Sequence, residues 1–333
     1  MMEIKKERIC SLDLIRVSAL VLIIIYHFQT IAEAIEVPGM IKEHIGPIGV
    51  GLYLAISGVL LAYHYYDNID LKKYLKKRIL AVMLPFWIAY LIVLGYNFLT
   101  GTKNPDIPLY RMIYTIMGVD GFLSYKVQTF YLIGEWFLGC ILLFYLAFPI
   151  IRILAKKIPI LFACGVIMVF FIVSMNYVYA MPMLWNPWIL LPNFVFGVYF
   201  AAFIKKVSID MFIAAIISYG FTITQGFGQA MVNVTIEIIS LFIIIYFLGQ
   251  KIKNKTWKNI IFKASKYSYG VILFHHVVIQ ELGKRLREEM LSGMSRFLVL
   301  GGVAIVSLMG AIILDKIIKS LLEENPLIQK KIK

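Results

Sequence analysis

Apolar runs of about 20 residues recur along this chain from end to end, and they constrain its fold more than any other feature. A run of that length, wound as an α-helix, spans the roughly 30 Å hydrocarbon core of a bilayer. The composition agrees, because 61% of the 333 residues are hydrophobic and only 16% are charged. The sequence therefore predicts an all-α, multi-pass bundle in the cell membrane. Ten spans can be placed, at 12–33, 48–66, 79–99, 130–150, 159–175, 188–204, 209–224, 231–249, 268–282 and 296–315.

The positive charges are distributed unevenly between alternate loops. With the N-terminus in the cytoplasm, 24 of the 33 Lys and Arg residues lie inside and eight lie outside. Cytoplasmic loops of membrane proteins carry such an excess, so the pattern predicts an even number of spans with both termini cytoplasmic. The same explanation covers the net charge of +14. No nucleic-acid partner is expected.

No composition shift indicates a separate soluble domain, so residues 1–333 are predicted to form a single integral-membrane domain. Cys10, Cys140 and Cys164 lack CxxC spacing, and we expect no disulfide framework. The basic stretch QKIKNKTWKNIIFKASKY mixes lysines with apolar residues. That pattern predicts an amphipathic helix on the cytoplasmic face, where anionic membrane lipid would attract it.

Arg16 and His27 lie eleven residues apart inside the first apolar run, SLDLIRVSALVLIIIYHFQTIA. In an α-helix this spacing is three turns plus about 20°, so the two side chains share one face, about 16 Å apart. Ionisable residues inside a membrane span are costly and by default mark functional sites. The structural alternative is an Arg that reaches the interface and a hydrogen-bonded interior His. The shared face favours a site that enters the bilayer from one side.

Two further segments carry polar groups. Ser57 and Gly58 lie near the middle of the second span, where Gly permits close helix approach and Ser can hydrogen-bond across the bundle. The basic run KKYLKKRILAVMLPFW places Arg78 at the start of the third span. Membrane topology alone usually explains such a run. Close to Arg16, however, it would also form a phosphate-binding rim, because a guanidinium presents a planar fork to phosphate oxygens.

With these elements in order, the chain resembles the acyltransferase-3 family of integral-membrane acyltransferases, over essentially its whole length. Leu52 and Tyr53 replace the aromatic pair that usually precedes the family's Ser-Gly element, and Ala81 and Val82 stand where a second Arg often follows Arg78. The resembling elements are Asp13, Arg16 and His27; GVGLYLAISG with Ser57–Gly58; Arg78, Pro85 and Trp87; GEWFLG with Glu135 and Trp136; LPNFVFGVYFA; and SYGVILFHH with His275.

The resemblance implies an enzyme that transfers an acyl group, usually acetyl from cytoplasmic acetyl-CoA, to a hydroxyl group. The acceptor would be extracytoplasmic or lipid-linked, commonly a sugar of a cell-envelope glycan. Arg16 would hold CoA phosphates at the cytoplasmic rim while the pantetheine arm carries the thioester inward. His27 is the candidate general base, because an unperturbed pKa near 6.5 lets it take a hydroxyl proton at neutral pH. The predicted donor-binding residues are Asp13, Arg16, Ser57, Arg78 and His275.

Other intramembrane polar residues rank lower. Glu135 and Glu237 are expected about 8–10 Å below the outer boundary, where either can orient the catalytic imidazole, bind acceptor hydroxyls or pair structurally. We take Glu135 as a second candidate catalytic residue and favour a structural role for Glu237. His276 should point about 100° away from His275 and pack, and His44, in an outer loop, is interpreted as incidental. No His, Cys and carboxylate spacing resembles a metal site.

Two other function classes stay open. A transporter or flippase of a glycan or small molecule would use intramembrane His and Glu residues as a proton or substrate path, without covalent chemistry. A sensory or scaffold protein would keep the bundle without catalysis. The joint presence of Arg16, His27 and Ser57 favours the enzyme.

Overall fold

The computed structural model describes residues 8–32, 39–101, 106–134, 136–285 and 295–323. Within these ranges the chain forms helices and no strand. Short 3-10 turns lie at Leu109–Arg111 and Met183–Trp185, and a π-helical turn, Phe200–Ile204, extends α8. The helices are α1 (Cys10–Ala32), α2 (Gly39–Tyr65), α3 (Leu71–Thr100), α4 (Met112–Ile116), α5 (Asp120–Leu123), α6 (Trp136–Lys157), α7 (Pro159–Met175), α8 (Pro187–Tyr199), α9 (Ile209–Thr224), α10 (Ala230–Lys251), α11 (Lys255–Arg285) and α12 (Ser295–Glu323).

The predicted all-α polytopic membrane bundle is confirmed. In the described part of the chain, seven helices are long and apolar enough to cross a bilayer: α1, α2, α3, α6, α8 with its π-helical turn, α10 and α12. Helices α7 and α9 are apolar but shorter, with 17 and 16 residues, and α11 carries a lysine-rich first half. The count of ten spans and the cytoplasmic position of both termini stay predictions.

Helices α2 and α8 pack backbone to backbone at two glycines. A Cβ atom on Gly58 would lie 2.1 Å from the carbonyl oxygen of Phe194, and one on Gly197 would lie 2.0 Å from that of Ala55. Only glycine allows this approach, since a side chain would push the two helices apart. The contact fixes the rotation of α2 and turns Ser57, the neighbour of Gly58, towards a central cavity.

Helix α6 begins later than the predicted span 130–150. Residues 127–134 are not helical, and the helix starts at Trp136. Tyr131 and Gly134 have φ angles of 39° and 73°, which an α-helix does not accept. These backbone conformations shorten the helical part of the apolar run at its N-terminal end and leave a loop against the helices.

Helix α11 merges two elements that the sequence separates. The predicted amphipathic surface helix and the predicted span 268–282 form one uninterrupted helix of 31 residues, Lys255–Arg285. The Asn254 side chain caps its start by accepting hydrogen bonds from the amides of Thr256 and Trp257, at 2.8 and 3.2 Å. Gly270 lets α12 approach, since a Cβ there would lie 2.7 Å from that of Ala311.

Candidate active site

A cavity of about 400 Å³ lies among α1, α2, α3, α6 and α11. Three cationic residues that line it, Arg16, Arg78 and Lys266, come from three different helices, and Ser57 comes from α2. Apolar side chains cover most of the remaining wall. The structure thus brings together three of the predicted donor-binding residues, Arg16, Ser57 and Arg78, although they are far apart in sequence.

Arg16 is held from behind by a buried carboxylate and a serine. Its Nη1 donates to Ser265 Oγ at 3.1 Å and lies 3.8 Å from Asp13 Oδ1. Ser265 Oγ in turn donates to Asp13 Oδ1. Asp13, only 5% exposed, does not line the cavity. It therefore lies in position to orient Arg16, largely through Ser265.

Arg8 is the main ionic partner of Asp13. Its Nε and Nη2 donate to the two carboxylate oxygens at 2.7 and 2.9 Å, and these hydrogen bonds raise the pKa of Arg8 above its usual value. Arg8 Nη2 also lies 3.0 Å from the carbonyl oxygen of Phe262 on α11. Arg8 and Ser265 could not be predicted as partners of Asp13 from the sequence, because contacts between the N-terminal segment and α11 leave no local spacing pattern.

Arg78 and Lys266 differ in how much of their charge is already paired. The Lys266 ammonium donates to Asp315 on α12 at 2.8 Å, and this hydrogen bond raises the pKa of Lys266 above its usual value. Arg78 Nε is buried without a hydrogen-bond partner among the described residues. Its guanidinium carbon lies 5.7 Å from the ring centre of Tyr65. Arg78 thus retains an unused donor on the cavity wall.

Three imidazole rings meet where α1 packs on α11. The ring centre of His27 lies 5.1 Å from that of His275 and 5.2 Å from that of His276. His275 Nδ1 lies 2.7 Å from the carbonyl oxygen of Ile272, and because a carbonyl only accepts, this nitrogen carries the proton. The buried Nε2 of His275 then carries a lone pair, and it has no hydrogen-bond partner among the described residues.

Gly134 connects the cavity to this histidine group. It lines the cavity, and a Cβ atom at its position would lie 3.0 Å from Cγ of His276. Its φ of 73° also favours glycine. Gly134, which has no side chain, therefore lies between the cavity and the imidazole of His276.

His276 packs against His27, because α1 lies over both histidines of α11 and brings His27 against each ring. The expectation that His44 lies in a loop is wrong, because α2 begins at Gly39. His44 Nδ1 lies 2.9 Å from the carboxylate of Glu237, which is 1% exposed. The pair joins α2 to α10, in keeping with the structural role expected for Glu237.

Glu135, the second candidate catalytic residue, lies outside the described residues. Its neighbours Gly134 and Trp136 border the loop described above. The Trp136 ring stacks on Trp185, with ring centres 5.4 Å apart and an interplanar angle of 8°. Among the residues that the structure describes, no group of three or more His, Cys, Asp or Glu side chains is arranged to hold a metal ion.

Comparison with known protein families agrees with this architecture. The model of the acyltransferase-3 family, described as an acyltransferase domain, matches residues 10–316 and so spans α1 to most of α12. Searches of curated proteins and of solved structures found no significant match. A match over nearly the whole chain, on a helical membrane bundle, identifies the family: the chain belongs to the acyltransferase-3 family, and it is a membrane acyltransferase.

Proposed function

We propose that this acyltransferase moves an acetyl group from cytoplasmic acetyl-CoA to a hydroxyl of an extracytoplasmic or lipid-linked cell-envelope glycan. One observation carries the proposal: the cavity with Arg16 and Arg78 on its wall reaches Gly134, which touches the histidine group. Acyl transfer from CoA needs a site for an anionic donor and a proton acceptor, and Gly134 borders both the cavity and the histidine group.

The donor end fits a phosphorylated carrier. Arg16 and Arg78 supply guanidinium donors on adjacent walls, and hydrogen bonds between guanidinium and phosphate are about twice as strong as neutral ones. Lys266 contributes less, because its ammonium already pairs with Asp315, a carboxylate that it shares with Lys319. Ala81 and Val82, where the family often has a second Arg, line the cavity as apolar residues. They suit the pantetheine arm better than another phosphate.

The histidine group fits the chemical step. In the proposed reaction His27 takes the proton of the acceptor hydroxyl as its oxygen attacks the thioester carbonyl. The new C–O bond forms, the C–S bond breaks, and the imidazolium returns the proton to the CoA thiolate. His275 offers a second lone pair beside His27, which can hold the His27 ring or the acceptor hydroxyl in position.

Mass spectrometry of envelope glycans from cells with and without the gene tests the proposal. We expect one acetyl group per modified sugar to disappear in the deletion strain and to return with the wild-type gene. Complementation with the His27→Ala variant should not restore it. Identical glycan spectra in all strains would refute the proposed acceptor.

The same strains test the transporter alternative. If the protein only moves a glycan across the membrane, the deletion and His27→Ala strains should accumulate lipid-linked glycan on the cytoplasmic side. An acyltransferase predicts normal glycan export with the acetyl group missing. Measuring the exported glycan by weight, beside its acetyl content, separates the two functions.

A further inference from the structure

A second cavity of about 380 Å³ lies on the other side of α2 from the candidate active site. The two cavities use different faces of the same helix, since Ser57 and Leu61 line the first while Ala62 and Tyr63 line the second. The opposite wall comes from the π-helical turn after α8 and from Tyr246 of α10. Nothing in the proposed acyl transfer uses this second cavity.

Lys205 lines the second cavity and has a strained backbone conformation. Its φ and ψ are 63° and −32°, and its neighbours close a tight turn in which the Lys206 amide donates to the carbonyl oxygen of Ile204 at 2.7 Å. Positive φ is uncommon and costly for a residue with a side chain. The Tyr246 hydroxyl holds the turn by donating to the Lys205 carbonyl oxygen at 3.0 Å. Such strain, maintained by the surroundings, is typical of functional positions.

The positive charge of Lys205 is not compensated by a negative charge at this cavity. Lys205 forms no ion pair within the described residues, while Asp67, the other charged lining residue, lies 3.8 Å from the Lys156 ammonium. Arg152 adds positive charge nearby, because its guanidinium donates to the backbone carbonyls of Tyr66 and Asp67. The local balance therefore favours an anion.

The walls favour an amphiphile over a fully soluble anion. The hydroxyls of Tyr66 and Tyr246 donate to backbone carbonyls, at 3.3 and 3.0 Å, so these side chains offer mainly ring surface to a ligand. Phe200 and Leu12 add apolar surface. Lys205 is exposed and follows a membrane-spanning helix, on the side where basic residues concentrate. A ligand with an anionic head and an apolar body matches one cation beside aromatic walls.

We propose that this second cavity binds the headgroup of an anionic phospholipid of the cytoplasmic leaflet. The lipid phosphate would contact the Lys205 ammonium, and the glycerol ester region would pack against Tyr66, Tyr246 and Phe200. The proposal does not depend on the acyl donor or acceptor of the enzyme.

Native mass spectrometry of the purified full-length protein, in detergent with added phosphatidylglycerol or phosphatidylcholine, tests the site. We expect the wild type to retain one phosphatidylglycerol in preference to phosphatidylcholine. Lys205→Gln should lower that retention about fivefold, the usual contribution of one Lys at an anionic surface. Lys206→Gln is the matched control, since it removes the same charge one residue away from a side chain that does not line the cavity.

A second variant and a competition experiment complete the test. Lys205→Asn removes the charge but tolerates positive φ better, so lost retention with an unchanged or higher Tm would exclude misfolding as the cause. Excess inorganic phosphate or free CoA should not displace the lipid. Equal losses in Lys205→Gln and Lys206→Gln, equal retention of both lipids, or displacement by a soluble phosphate would each overturn the proposal.

Discussion

Among the residues that the structure describes, the Arg16 guanidinium donates one hydrogen bond, to Ser265, and forms a longer ion pair with Asp13. A guanidinium has five N–H donors, so most of them are available to a ligand in the cavity. His27, farther along α1, instead contacts the rings of other aromatic side chains, among them His275 and His276. At the scale of single residues, α1 thus carries both the proposed anion-binding group and, farther along, the proposed proton acceptor.

We expect Arg16→Ala to raise the KM for acyl-CoA about ten- to hundredfold, because losing a hydrogen bond to a charged group costs about 1.5–3 kcal/mol. Arg16→Lys should rescue this KM only in part, since Lys lacks the planar fork. Steady-state kinetics with acyl-CoA and acceptor varied separately provide the measurement. Lys157→Ala, an exposed charge outside the cavity, is the control. Equal effects of Arg16→Ala on both substrates would remove Arg16 from the donor site.

His27→Gln should lower turnover by about 10²–10⁴, the usual contribution of a positioned proton acceptor, with little change in abundance or in acyl-CoA binding. Turnover of the wild type should fall at acidic pH once this imidazole is protonated, since protonation removes the base. His64→Gln is the matched control, because His64 lies on α2 among Tyr63 and Tyr65. A His27→Gln protein that turns over normally once purified, but is less stable, would make His27 a packing residue.

At the scale of helices, the contact between α2 and α8 determines which face of α2 meets each cavity. Gly58 and Gly197 place the two backbones so close that neither position accommodates even a methyl group without movement. The cavity-facing position of Ser57 therefore depends on Gly58, which lies on the side of α2 that packs on α8.

Gly58→Ala should lower the Tm of the detergent-solubilised protein, because forcing a methyl group into a filled contact typically costs about 1–3 kcal/mol. It should also lower acyl transfer by rotating Ser57. Gly165→Ala on α7 makes the same chemical change where a Cβ meets nothing within 4 Å, and its Tm should stay the same or rise slightly, since Ala favours a helix. If the two variants melt alike, the packing of α2 on α8 contributes little to stability.

At the scale of the whole molecule, orientation in the membrane decides which substrate reaches which end of the cavity. In a cysteine-free background, a cysteine at Gln225 should react with a membrane-impermeant thiol reagent on intact cells. Cysteines at Asn68 and Lys253 should react only after lysis. This pattern follows from the charge difference between alternate loops. Labelling of Lys253→Cys on intact cells would mean that the span count is wrong before α11.

The sequence predicted the helices well because hydrophobic length is a local property that each segment carries alone. It misplaced the start of α6, because the positive φ angles of Tyr131 and Gly134 arise in a loop packed against other helices. It missed the pairing of His44 with Glu237, because the partners are 193 residues apart. It did not indicate that His27 contacts both His275 and His276, since the angle between neighbours on one helix does not say which helix packs over them. The spacing of residues along a helix indicates which side chains share a face, whereas the packing of the helices determines which residues that face contacts.

Helix α11 behaves mechanically as a single rod about 46 Å long, since it has 31 residues and no break. Ser265, which bonds Arg16 and Asp13, and both histidines that contact His27 are fixed to this rod. A displacement of one end of α11 along the helix axis would move the other end with it. We therefore expect that a donor which draws Ser265 towards Arg16 also shifts the two imidazoles, which would couple donor binding to the position of the proposed base.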